Sequence, residues 1–361
     1  MISLAEAVVI GIKAATAGVM WLDVQLEGEQ SGAVAFEEFT GPLRAGDLVL
    51  LNTTAADLQL GSGGWHIVVS KLSDPDLSTV KKNHGHIMKM RYTPLQHACL
   101  AVEEPDSPYH DAMKEYAGLT HLPVVAASLH SQVAPVVLGM LKARPEARIV
   151  YIMTEGAALP AKFSRLVDWL RHEELVKTVI TCGNAFGGDL EAVNIYSALQ
   201  AAKIVAKADA VVVAMGPGIT GTDTALGHMG MEQGTIVNAA ASLGCVPIAA
   251  ARVSFADERA RHRGVSHHTL SALQVAALVT GVLPLAELTR DKKSLVDEQL
   301  ASLVARGWQT PVYDSSFILE ALAGLTLKVT TMGRGPRDDP EFFMAAAAAG
   351  LCAGEKIVIP A

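Results

Sequence analysis

Apolar residues between Leu4 and Val69 fall in short runs, AVVIGI, VMWLDVQL, GAVAFEEF, DLVLLN and WHIVVS, separated by GEQSG, GPLRAGD and GSGG. Short strands at this spacing predict a small antiparallel β-barrel-like or sandwich domain. Gly61, Gly63 and Gly64 supply the positive φ that a tight turn before the last strand needs. The segment SDPDLSTVKKNHGH reads as a connector, and it runs into IMKMRYTPLQHACLAVEE, a further strand pair or a bridge between domains.

From Leu122 to about Gly281 the period changes. Runs PVVAASL, ARIVYIM, KTVITC, DAVVVAM and VPIAAARVS alternate with the helical stretches QVAPVVLGMLKA, PAKFSRLVDWLRHEEL and DLEAVNIYSALQAAKIVAK. Near-continuous apolar strands between amphipathic helices predict a mostly parallel sheet covered on both faces. The class is therefore α/β, with a three-layer α/β/α domain following the small β domain. SLVDEQLASLVARG, SSFILEALAG and EFFMAAAAAGL add helices, and LKVTTM, which empties into GRGPRDDP, reads as a sixth strand of the sheet. The expected divisions are a β-barrel-like domain over 1–75, a connector over 76–120 and the α/β/α domain over 121–361.

Composition narrows the function classes. The chain has 361 residues, is 50% hydrophobic and 18% charged, and carries a net charge of -8. That balance excludes general nucleic-acid binding, which needs an excess of Lys and Arg on at least one face, but leaves room for a local basic site. Cys99, Cys182, Cys245 and Cys352 are widely spaced with no C-x-x-C pair, so neither a zinc cluster nor a disulfide framework is expected. The N-terminus carries Glu6 before any lysine and lacks the pattern of a signal peptide, so a cytoplasmic location is expected. The most hydrophobic window, Leu270 to Leu288, is interrupted by Gln274, Gly281 and Pro284; it reads as a buried helix rather than a membrane span.

In an open parallel sheet, ligands collect beyond the carboxyl ends of the strands. That rule nominates the loops LHSQ (129–132), TEGAAL (154–159), CGNAFGGDLE (182–191), GPGITGTDT (216–224) and RVSFADERARHRGVSHHT (252–269). The last packs four arginines, three histidines and an aspartate after an apolar strand, chemistry that core packing does not need. Arg252, Arg259 and Arg261, with Arg263 nearby, favour an anion, since guanidinium groups pair with phosphate or carboxylate oxygens and repel a bare cation. Arg252 directly follows VPIAAA and is expected to contribute most. His262, His267 and Asp257 are candidate ligands for a divalent metal, although their spacing matches no recognised zinc motif. His267 and His268 are the candidates for acid–base work.

GPGITGTDT has G-x-G-x-x-G spacing at Gly216, Gly218 and Gly221. Gly227, Gly230 and Gly234 make a tight turn into a long helix doubtful, and no acidic residue closes the next strand, so a dinucleotide site is disfavoured. Thr222 stands where a Walker lysine belongs. What survives is a Gly and Thr loop in which Gly216, Gly218 and Thr222 cradle an anion, set against a plain connector without ligand. Asp189 reads as the N-cap of a helix starting at Leu190, and Glu191 as a first-turn residue stabilised by the helix dipole. Ser131 reads as an N-cap rather than as a nucleophile paired with His130. Glu155 ends a strand ahead of a helix and is the preferred general base or metal ligand.

The motifs GDLVLLNTTAADLQLGSGGWHIV, GHIMKMRYTPLQ, MTEGAALPAKFSRLVDWLR, TCGNAFGGDLEAVNIYSAL, AMGPGITGTDT and RVSFADERARHRGVSHHT together resemble a bacterial family catalogued as domain of unknown function 3866. The resemblance covers nearly the whole chain, implies no activity and carries over no catalytic residue. The residues themselves point to an enzyme of hydrolase or transferase type whose substrate is a small anionic metabolite, phosphorylated or not. A homo-oligomer is compatible with the sequence. A non-catalytic metabolite sensor or assembly component, and a nicotinamide-dependent oxidoreductase, remain as alternatives.

Overall fold

A computed structural model describes residues 2–16, 18–60, 64–73, 85–116 and 118–358. Two compact units are present: residues 1–84 with 90–97, and residues 85–89 with 98–361. Gly61, Gly63 and residues 74–84 of the segment SDPDLSTVKKNHGH lie outside the described residues, while Gly64 has φ +80°.

The first unit is a closed barrel of β1 (Leu4–Thr16), β2 (Val19–Leu26), β3 (Glu29–Phe36), β4 (Leu48–Asn52) and β5 (His66–Lys71), in the order β1-β2-β3-β5-β4. It is mixed rather than purely antiparallel. β3 and β5 run parallel, pairing Ala33 with His66 and Val34 with Ile67, because β4 enters between β5 and β1 to complete the ring. Alternation fills the interior with Ala7, Val9, Leu22, Val24, Ala33, Val49, Leu51 and Val68. The other face of β1 leaves Leu4, Val8, Ile10 and Ile12 exposed. Its pairing with β2 is interrupted by irregularities between Val9 and Gly11 and between Ile12 and Ala14.

The second unit is built on a six-stranded sheet. Its strands are β6 (Pro123–Ala127), β7 (Ile149–Thr154), β8 (Thr178–Cys182), β9 (Leu190–Ala192), β10 (Ala210–Met215) and β11 (Val246–Ala250), in the order β9-β8-β7-β10-β6-β11, all parallel. Strict alternation divides these buried strands between two cores. Val124, Ala126, Val150, Ile152, Val211 and Val213 face the helices Ile195–Ile204 and Glu232–Ser242. Val125, Ala127, Ile149, Tyr151, Val212 and Ala214 face Val133–Ala143, Arg165–His172 and Pro340–Glu355. Because every strand runs the same way, the five nominated loops open on one edge of the sheet.

The sixth strand is not where periodicity puts it. LKVTTM forms no strand, and Leu190–Ala192 pairs with β8 instead, with the helix beginning at Ile195 behind the N-cap Asn194. Asp189 is therefore no N-cap: its carboxylate accepts from Val179 N at 2.8 Å and pairs with Arg171. Glu191 lies in β9, not in a first turn, and binds Thr181 Oγ1 at 2.6 Å, Gly187 N at 2.7 Å and the buried Lys89 at 2.5 Å. Ser131 caps nothing; the Gln132 side chain accepts from Ser128 N at 3.0 Å and Leu129 N at 3.1 Å and donates to Ala251 O at 3.1 Å. The expected helix over 270–288 also ends early. After His267–Ser271 and one wide turn to Ala276 the chain becomes irregular, then adds the short strand Leu285–Ala286. No helix among the described residues is long and apolar enough to cross a membrane.

Candidate functional site

Two arms meet beyond β10 and β11. The β11 arm folds back on itself: Val253–Ser254 pairs antiparallel with Gly264–Val265, and Ser266 N donates to Arg252 O at 2.8 Å. Ser266 then caps the short helix His267–Ser271 by accepting from His268 N at 3.2 Å, while Arg252 N donates to Thr269 Oγ1 at 3.0 Å. The reversal returns His267 and His268 to the side of Arg252. The β10 arm is a hairpin-like loop in which Gly221 bridges His228 and Thr222 N donates to Gly227 O at 2.8 Å. It delivers His228 onto His268, the rings stacked 3.9 Å apart with an 11° tilt.

His262, His267 and His268 thus form one cluster with His228, their ring centroids 4.4 to 5.0 Å apart for the pairs 267/268, 262/268 and 262/267. Burial, reinforced by Arg252 and by the neighbouring imidazoles, keeps all four neutral: His262 is pushed down to about 3 and His268 to about 2, and His228 and His267 are lowered as well. Protonation sites follow from the partners. His228 Nε2 donates to Ala225 O at 3.1 Å, so Nδ1 is bare; it is buried and has no partner among the described residues. The buried Nε2 of His267 likewise has none. His262 Nδ1 is taken up by Ser266 Oγ at 2.7 Å.

The donor group that converges for a metal is His228, His267 and His268, whose ligand atoms lie within 4.8 Å of one another. Asp257 does not join it. Its carboxylate accepts from Arg259 Nε at 2.9 Å and Nη2 at 2.7 Å, and from Arg252 Nη2 and Arg334 Nη2 at 3.4 Å each. These guanidiniums, Arg259's hydrogen bonds foremost, hold it well below the usual carboxylate range. The same pairs occupy two of the expected anion clamps. Arg252 is buried, its pKa brought down to about 10 by desolvation, and Arg259 grips Asp257 in bidentate fashion. Arg334 also holds the buried Asp339 at 3.1 Å, and Ser254 Oγ donates to that carboxylate at 2.8 Å. Arg263 is exposed.

Arg261 differs. Its Nη1 meets only the exposed Asp223 side chain, at 2.8 Å, and its buried Nε has no partner among the described residues. Its charge is among those that depress His267. The glycine loop is otherwise committed to its own turn. Thr222 Oγ1 donates to Gly227 O at 2.9 Å, Gly216 packs against Ala158 O, and Gly218, at φ +99°, opens to solvent. No α-helix follows it until Glu232, after a single 3-10 turn at Met229–Met231, so the geometry of a dinucleotide fingerprint is absent. Glu155 is not in that donor group and is engaged elsewhere: Oε2 accepts from Asn184 N at 2.5 Å and Nδ2 at 2.7 Å. Beside it, Glu232 is pushed up by burial, with the charge of Glu155 adding to the shift.

His228, Asp223, Arg334 and Asp339 are the site residues that sequence reasoning missed. His228 stands alone among glycines and methionines, and only its place beyond the strand DAVVVAM, on the same edge as the Arg and His segment, could have singled it out.

No curated protein matches the chain. The match to a family model, described as a protein of unknown function and spanning residues 32–350, begins within β3 of the barrel and covers the whole of the sheet, and the chain belongs to that family, DUF3866.

Proposed function

We propose that the chain is an enzyme acting on a small anionic metabolite beyond the carboxyl ends of β10 and β11. Arg261 takes the oxyanion of the substrate, and His228 Nδ1, bare because Nε2 donates to Ala225 O, handles its proton with the ring of His267, unpartnered at Nε2 among the described residues, alongside. The observation that carries this reading is Arg261, a guanidinium whose only charged partner among the described residues is an exposed carboxylate and which stands close enough to His267 to depress its pKa. An exposed ion pair is worth about 0.2–1 kcal/mol, so a substrate phosphate or carboxylate displaces Asp223 at little cost. A neutral imidazole with a bare nitrogen is equipped as a general base. Arg252 and Arg259, held by Asp257, brace the cluster rather than meet the substrate.

Calorimetric titration with inorganic phosphate and a panel of phosphate esters and carboxylates, with product detection, tests the reading. Arg261→Ala is expected to weaken binding by about ten- to a hundredfold, the loss of a charged hydrogen-bond donor. Asp223→Asn is expected to tighten it by up to about fivefold, the worth of the displaced pair. An Arg261→Ala variant that binds as well as the parent chain would overturn the anion site. Binding without turnover across the panel would make the protein a metabolite sensor.

A further inference from the structure

We infer that His228, His267 and His268 form a binding site for a borderline divalent transition metal of the zinc and cobalt class. The inference rests on the preceding reading in placing the chemistry beside His267 and Arg261 but changes the part of the imidazoles: with an ion bound their lone pairs ligate it and no longer take a proton, and Arg261 remains the anion contact. Its argument is the state of the ring nitrogens. A bare imidazole nitrogen is an acceptor; it repels an oxyanion and is satisfied only by a proton donor or a cation. His228 Nδ1 and His267 Nε2 are both buried without a donor among the described residues. Burying such an acceptor unsatisfied is unfavourable. Placing two of them beside a third imidazole is costly for packing and useful for ligation.

The backbone keeps the space between the rings open. A Cβ at Gly230 would lie 3.0 Å from His228 Nδ1, and one at Gly221 would lie 3.2 Å from His268 Nε2. The donor set is all nitrogen, which suits zinc or cobalt and not magnesium or calcium, whose ligands are oxygens. Three imidazoles leave a fourth position free, the arrangement of catalytic rather than structural zinc sites.

Ligation requires movement. A tetrahedral centre with bonds of about 2.1 Å needs donors roughly 3.4 Å apart, closer than the 4.8 Å they span here. Two stacked rings also cannot both aim in-plane lone pairs at one ion. His268 must therefore leave its stack on His228, while Arg252 stays with Asp257.

The test uses the full chain, stripped with a chelator and titrated with Co(II) and with Zn(II). One equivalent is expected to bind saturably, with the visible absorption of low-symmetry cobalt. His228→Ala and His267→Gln should each weaken binding by at least about a hundredfold with far-ultraviolet circular dichroism unchanged. Mg(II) should neither bind nor compete. Absence of saturable binding, or binding unaltered by the variants, overturns the site. If His228→Ala does not fold, His267→Gln decides alone, because that ring is only partly buried. Cobalt binding without phosphate binding would sink the anion reading and leave the metal site standing; phosphate binding without cobalt binding would do the reverse.

Discussion

Asp257 shows how a cationic run can be consumed by its own chain. One carboxylate, itself part of the run, draws Arg252, Arg259 and Arg334 to it. The sequence displays the arginines and the aspartate but not their pairing, since that depends on a fold-back and on a residue 77 positions downstream. Arg261 escapes because its neighbour is a loop carboxylate in solvent. Glu155 is a second case. At the end of a strand it reads as a catalytic base, yet its Oε2 serves as an acceptor that ties Asn184 in place. A glutamine carbonyl can accept the same two bonds. Glu155→Gln is therefore expected to stay within about 0.5 kcal/mol of the parent in urea denaturation, whereas Glu155→Ala should cost about 1 kcal/mol. A Gln variant of full stability that has lost turnover would restore Glu155 to catalysis.

At the level of elements, strands that bury both faces were legible and short or irregular segments were not. Each of the five apolar runs between Leu122 and Gly281 became a sheet strand, because such runs have no amphipathic alternative. Leu190–Ala192 was hidden inside a helical pattern, since three residues carry too little periodicity to compete with the ten-residue helix that follows. LKVTTM erred in the other direction: its β-branched alternation finds no neighbouring strand to pair with. The candidate edge of the sheet was readable from the βα alternation; the meeting of His228 with His268 was not, because it depends on two loops folding toward each other. One glycine controls the second of those loops. Gly264 has φ +73°, and a Cβ there would lie 2.3 Å from Gln299 Oε1, the atom that accepts from Val265 N at 2.7 Å. Gly264→Val adds the left-handed backbone penalty, about 1–2 kcal/mol, to that clash. It is expected to open the Val253–Val265 reversal and abolish cobalt binding while the far-ultraviolet spectrum of the sheet persists. Retention of parental cobalt affinity would show that the histidines do not depend on the reversal.

Across the whole molecule, neutral buried imidazoles set the response to acid. His130, enclosed against Tyr151 OH at 3.2 Å and Ser164 Oγ at 2.6 Å, is pushed down to about 4 by burial. Unfolded, it would titrate near the usual value of about 6.5. Between those values the unfolded chain binds the extra proton, so stability is complete above about pH 6.5 and declines as the pH falls toward 4. The imidazoles of the cluster act in the same direction. Urea midpoints should therefore drop between pH 7 and pH 5, and His130→Gln should flatten that slope; a midpoint independent of pH across this window would contradict the neutral burial of His130. The barrel has a different exposure, to other chains rather than to protons. β4 accompanies β1 only from Leu4 to Val8, so beyond Val9 the strand has β2 on one side and no β4 partner on the other. A strand flank without a strand partner among the described residues, carrying Ile10 and Ile12 outward, is a template onto which a second polypeptide could add. The two irregularities that interrupt β1 in that stretch leave Ile10 and Lys13 out of register with β2, and Lys13 brings a charge held by Asp23. A bent, charged flank is a poor template, and so the breaks in β1 work as protection against self-association.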